Sequence, residues 1–164
     1  NVKAPREHNK TDWRREAWST EMVAELDNDR YFRWFDSGDM YSLELAHKML
    51  NIMKQTPHCQ HWLPTRMHKF AKFAKVIASM QALPNVVVRL SSDSIEGETI
   101  EGVTTSTIVP NAEQLQAGQT LCRAYDNGGK CGTCRACWSK DVKVIAYPAH
   151  GVSMKKIIRI KLAA

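Results

Sequence analysis

Several features that would settle the class of this chain at once are missing from it. It has no run of about 18 apolar residues, so no transmembrane helix is expected. Its first residues, NVKAPREHNKTDWRRE, are polar and charged throughout, which is not the pattern of a secretory signal. No GxGxxG follows any strand candidate and no GxxxxGK[ST] occurs, which excludes the dinucleotide-binding fingerprint and the phosphate-binding loop. No internal repeat and no low-complexity segment is present, so neither a solenoid nor a disordered tract is expected. The chain begins at Asn1 rather than Met, as expected of a processed or trimmed product, with residues upstream left open.

What is present fits one folded domain: 164 residues, 43% of them apolar, are enough to fill a single core. The formal charge of +6 suits an acidic partner such as a nucleotide or nucleic acid, or else serves solubility alone. Cysteine usage is the sharper signal. Four of the five cysteines, Cys122, Cys131, Cys134 and Cys137, fall in LCRAYDNGGKCGTCRACW with the spacing C-x8-C-x2-C-x2-C. Thiols at three-residue intervals among Gly128, Gly129 and Gly132 suit a curled backbone bringing several sulfurs to one centre. Clustered CxxC spacing without a secretion signal also points to thiolates kept reduced in a cytosol.

Taken in order, residues 1–12 read as an irregular basic arm. A helix is expected to end near Leu26, and Asp27-Asn28-Asp29 is a turn. Tyr31 to Phe35 is a strand candidate, and Ser42 is a suitable N-cap for a helix from Leu43 to about Gln55, with Leu45, Met49, Ile52 and Met53 on one face. Cys59 to Leu63 is a second strand, and His68 to Ala82 a helix burying Phe70, Phe73, Ala74, Ile77 and Met80. Val86 to Leu90 is the clearest strand, Thr104 to Val109 and Val142 to Tyr147 are further ones, and Met154 to Leu162 is a terminal strand or short basic helix. The alternation predicts an α/β fold of parallel βα units, a partial barrel or an open sheet, with a C-terminal four-cysteine metal-binding lobe. The expected organisation is residues 1–120 as α/β core with an N-terminal arm, and residues 121–164 as metal lobe with terminal strands, packed as one unit.

In parallel α/β folds, ligands gather where the strands end. The residues just past the strand candidates are Asp36, Ser37 and Asp39, then Thr65 and Arg66, then Ser91, Ser92 and Asp93, and finally His150. Arg66 suits a phosphate or carboxylate, and the aspartates suit a ribose hydroxyl, a general base or a helix cap. Lys69, Lys72 and Lys75 form one basic stripe, read as a solvated face or a nucleic-acid track. His58 and His61 flank Cys59, but on a strand only Cys59 and His61 share a face, so a buried thiol is the simpler reading there. For the four clustered cysteines two centres fit, one Zn2+ or one 4Fe–4S cluster, with Lys130, Arg135 and Lys140 offsetting the negative charge. The zinc version is similar to the structural zinc lobe of alcohol dehydrogenases with the order reversed. The cluster version uses a common ferredoxin spacing. Either is expected to hold the loop rather than perform chemistry.

Taken together, FRWFDSGDMYS, WLPTR, VVVRLSSD, CGTCRACW and VKVIAYPAHG resemble phage and prophage proteins like mycobacteriophage gene product 88. That resemblance implies a viral setting in a host cytosol more than a reaction. The strand-end pattern also looks like half of a radical S-adenosylmethionine-type barrel, but no cysteine precedes Cys59, so the catalytic motif of those enzymes is absent from this chain. Three functions are therefore expected to compete. The first is a phage-type metal-binding protein taking a nucleotide or nucleic acid at its strand ends, without membrane association. The second is an iron–sulfur enzyme of radical type lacking its N-terminal motif. The third is a structural or host-interaction protein with a folding metal.

Overall fold

Each amphipathic helix between Tyr31 and Ser91 has an apolar stripe to bury, and a parallel sheet is the surface that accepts it. The computed structural model describes residues 3–92 and 98–149 and has this mixed α/β architecture. The strands are β1 (Tyr31–Arg33), β2 (Gln60–Thr65), β3 (Val86–Ser91), β4 (Thr105–Val109), β5 (Gln119–Leu121) and β6 (Val144–Pro148). The helices are α1 (Lys3–Asp12), α2 (Trp18–Glu25), α3 (Leu43–Gln55) and α4 (Ala74–Gln81). The sheet order is β1-β2-β3-β4-β6-β5, and the pairs β1–β2, β3–β4, β4–β6 and β5–β6 are all parallel. The chain forms two compact units, Asn1–Val88 and Arg89–Ala164.

In the first unit, α3 is the central helix. Ser42, extended at φ −128°, accepts a hydrogen bond from the Leu45 amide at 3.1 Å and so satisfies one orphan donor of the first turn. Leu45, Ala46, Met49, Ile52 and Met53 are buried, and the helix packs against α2 and α4. Its C-terminus is tied to the sheet through Asn85, which precedes β3. The Asn85 side-chain amide donates to the carbonyls of Met53, Thr56 and Cys59, each at 3.1 Å, while the Asn85 backbone carbonyl accepts from the His61 amide at 2.8 Å. Side chain and main chain of this one residue thus fix the end of α3 and the start of β2 together.

The N-terminal arm is a correction. Residues 3–12 are helical rather than irregular. Pro5 lies in the first turn, where its missing N–H costs nothing, and Glu7–Lys10 (2.8 Å) and His8–Asp12 (3.4 Å) pair along the exposed side. No residue of α1 is buried; the following Trp13 anchors it, donating from Nε1 to the Lys10 carbonyl (3.0 Å) and to Tyr41 Oη (2.7 Å). The expected helix over 68–82 also differs. Two 3-10 turns, Met67–Lys69 and Ala71–Phe73, precede α4, and Phe70 between them is extended at φ −109°, ψ 115°. That break destroys the helical register, so Phe70 is 53% exposed while Phe73 is buried.

In the second unit, β4 and β6 pair along five residues, Thr105↔Val144 to Val109↔Pro148, and β5 adds to the far side of β6. β5 is only three residues long, too short for an alternation signal. The expected terminal element at 154–162 lies outside the described residues, as do Asp93 and His150.

Candidate metal centre and strand-end residues

Two parallel neighbours need a crossover connection, usually a helix. Between β5 and β6 the crossover is the cysteine segment, and it contains only the 3-10 turns Tyr125–Asn127 and Ala136–Trp138. Gly128, Gly129 and Gly132 have φ of 61°, 80° and 54°, the left-handed values that let so short a stretch double back. Cys122 follows β5 directly and its amide donates to the Ala146 carbonyl at 2.8 Å, so one thiol is fixed to the sheet. Cys131 and Cys134 are exposed and joined by a turn (Cys134 N to Cys131 O, 3.0 Å), whereas Cys137 is buried with Sγ 3.7 Å from Tyr147 Oη. All four cysteines line one cavity of about 210 Å³, together with Leu121, Trp138 and Ile145. They are thiols rather than disulfides. Among the described residues no three His, Cys, Asp or Glu side chains stand close enough together to hold an ion as they are. By donor chemistry alone, four cysteine thiols lining one cavity are the ligand type a soft metal takes. Burial pushes the Cys137 thiol up to about 11, with Tyr147 and Arg89 opposing.

Arg89, on β3, is the residue that shapes this loop. It is fully buried, and its guanidinium donates to the carbonyls of Ala136 (2.8 Å), Ser139 (2.9 Å), Val142 (2.9 Å) and Cys137 (3.0 Å), with longer contacts to Thr105 (3.4 Å) and Lys143 (3.5 Å). Nearly all its donors are spent on one stretch of main chain. Among the described residues no carboxylate pairs with it. Burial lowers its pKa from the usual value, opposed by Cys137 and Tyr147.

The strand-end residues are not alike. Both oxygens of the Asp39 carboxylate are engaged: Oδ1 accepts from Thr65 Oγ1 (2.7 Å) and the Met40 amide (2.8 Å), and Oδ2 from the Arg66 amide (2.7 Å). Thr65 Oγ1 in turn accepts from the Met67 amide at 3.0 Å. Asp39 and Thr65 thus build the turn that ends β2. Asp36 and Ser37 are exposed, and Asp36 reaches Arg33 at 3.9 Å. The Arg66 side chain is also exposed. Ser91 and Ser106 share a hydroxyl bond at 3.0 Å, and the Ser92 amide donates to the Ser106 carbonyl at 2.9 Å.

Cys59 and His61 are buried and His58 is exposed, its Nε2 3.0 Å from the Leu26 carbonyl, but strand alternation is not the reason: His58 and Cys59 precede β2 in a turn, and His61, Trp62 and Leu63 are all buried. Burial and Asp29 push the Cys59 thiol up to about 11, the behaviour of an inert core cysteine. His61 has its tautomer fixed by its neighbours. Trp34 Nε1 donates to Nδ1 at 3.3 Å, so Nε2 carries the proton and donates to Thr56 Oγ1 at 2.8 Å, which passes its own proton to the Ile52 carbonyl at 2.8 Å.

The gene product 88 family model matches residues 1–151. The chain belongs to the gene product 88 family. No curated protein and no solved structure matches it. The match carries the phage-type resemblance and brings with it no radical enzyme and no named activity. No helix among the described residues of this family member is long and apolar enough to cross a membrane.

Two residues of this gene product 88 chain that matter most to its sites were not singled out from the sequence. A lone arginine inside the apolar run Val86–Leu90 was the available signal for Arg89, because a charge in a central strand needs partners. For Asn85 the signal was an asparagine between Pro84 and a strand, which says turn but not which three carbonyls it ties together.

Proposed function

We propose that Cys122, Cys131, Cys134 and Cys137 bind one metal centre, a zinc ion or a 4Fe–4S cluster, that closes the β5–β6 crossover. Arg89 carries this reading. A guanidinium removed from water costs several kcal/mol unless charge of the opposite sign lies near, and neutral carbonyls satisfy its hydrogen bonds without cancelling its charge. A centre bound by four thiolates is net negative, and Cys137, whose carbonyl Arg89 already holds at 3.0 Å, brings that charge alongside. The centre would also replace the helix this crossover lacks, cross-linking a long loop that has little regular hydrogen bonding of its own. Its role is to hold the fold of the second unit.

The test is metal analysis of anaerobically purified protein, with Cys134→Ser beside it. About one equivalent of zinc, or iron and sulfide with visible colour, is expected, and Cys134→Ser should lose it together with protease resistance in residues 122–143. A metal-free wild type that resists protease as well with a chelator as without would remove the proposal.

The basic excess supports an acidic partner, nucleotide or nucleic acid. Since Asp39 and Thr65 are occupied with each other, this reading passes to Arg66 and the segment that follows it. Titration of the protein with ATP and with an oligonucleotide checks it; no binding to either at low salt would refute it.

A further inference from the structure

We infer that residues 66–75 form a docking face for single-stranded nucleic acid, with Phe70 as its stacking platform. This deepens the acidic-partner reading above and rests on it. Residues 45–92 contain no Asp or Glu, so the segment itself carries only positive side-chain charge, and the Asp39 carboxylate that meets its first residue is taken up by the Thr65 hydroxyl and the Met40 and Arg66 amides. Arg66, Lys69, Lys72 and Lys75 are exposed on this segment, and Phe70 stands among them at 53% exposure. Phe70 is there because the backbone makes it so. It is extended between two 3-10 turns, its amide bonded to the Met67 carbonyl (3.0 Å) and its carbonyl to the Phe73 amide (2.9 Å), which points it away from the face that buries Phe73. The turn itself is held by Asp39 through the Arg66 amide at 2.7 Å, and Lys72 Nζ lies 5.2 Å over the Phe73 ring. An exposed aromatic ring on a fixed turn, in a segment whose four basic side chains are also exposed, matches the two things an unpaired strand offers, phosphates and a bare base face. A closed duplex hides its base faces and an acidic peptide has no ring to stack, so neither uses Phe70.

The experiment is fluorescence anisotropy with a short labelled oligo-dT, and with the matching duplex, ATP and polyglutamate in parallel. With about four phosphate contacts, affinity for the single strand should fall about 50-fold between roughly 50 and 200 mM salt. Phe70→Ala should weaken it about tenfold at constant salt without changing the circular dichroism, since the ring is exposed, and Phe70→Trp should restore it. Lys72→Gln should flatten the log–log salt slope by about 0.7. Equal binding by Phe70→Ala and wild type, or equal binding of duplex or polyglutamate, overturns the inference. Binding of ATP without binding of oligo-dT overturns it too while leaving the acidic-partner reading in place; binding of neither removes both.

Discussion

Lowering the pH should destabilise the first unit through one buried side chain, His61. The ring is fully buried, with Phe32 edge-on at 6.2 Å and Trp34 stacked at 6.0 Å. Its Nδ1 accepts from Trp34, so a proton added there would set two donors against each other and place a charge among aromatic rings. Burial, helped by the neighbouring His58 and opposed by the Thr56 contact, lowers its pKa from 6.5 to about 4. Above pH 6.5 the imidazole is neutral whether the chain is folded or not, and nothing is lost. Below that the unfolded chain takes up a proton that the folded one refuses, so stability falls as pH drops from 6.5 towards 4 and levels off beneath it. At about 1.4 kcal/mol per pKa unit the full loss is on the order of 3 kcal/mol, of which about 2 kcal/mol has gone by roughly pH 5. Urea unfolding of wild type and His61→Gln from roughly pH 7.5 to 5 isolates this contribution, because the two proteins differ only at this side chain. Gln can accept from Trp34 and donate to Thr56, so the variant should fold while losing that part of the pH dependence. Parallel stability curves for the two proteins, or a His61 resonance titrating near 6.5 by NMR, would refute the reasoning.

Asn85→Asp keeps the shape of the side chain but removes the amide that serves the Met53, Thr56 and Cys59 carbonyls. About 3–5 kcal/mol of stability should go with it, near 10 °C in Tm for a chain of this size; a shift of only a degree or two would count against the role assigned to Asn85. Arg89→Met should leave the carbonyls of Ala136, Cys137, Ser139 and Val142 without their donor. Relief from burying a charge offsets part of this, so a net loss of about 2–4 kcal/mol is expected, with faster metal release to a chelator. A variant as stable as wild type that holds metal equally well would break the link drawn between Arg89 and the cysteine loop.

Much of the α/β framework was legible from local pattern. α3 begins and ends where Ser42 and Pro57 require, and β3, β4 and β6 fall on the apolar runs that mark them. Where sequence reading went astray the competing effect was local geometry imposed by distant residues. Asp39 pins the Arg66 amide at the end of β2, the chain turns twice in 3-10 form, and the periodicity that would bury Phe70 is interrupted. α1 has no apolar stripe to mark it, none of its residues being buried; its anchor is Trp13, which follows it and meets Tyr41 across 28 residues, beyond the reach of a window on the arm.

The strand-end residues show the same division. Topology selected Asp36, Asp39, Thr65 and Arg66 from the sequence, but only the fold reveals that Asp39 and Thr65 spend their polar atoms on each other and on the turn. By itself the sequence determined the helical and strand periods, the N-cap of α3, the cysteine spacing and the absence of acid between residues 45 and 92, because each is a property of neighbouring residues. The tertiary structure alone decided that Arg89 enters the cysteine loop, that His61 stays neutral and that Phe70 faces outward. Those depend on which carbonyls, rings and turns meet across long stretches of chain, and burial acts on a side chain only once they have met.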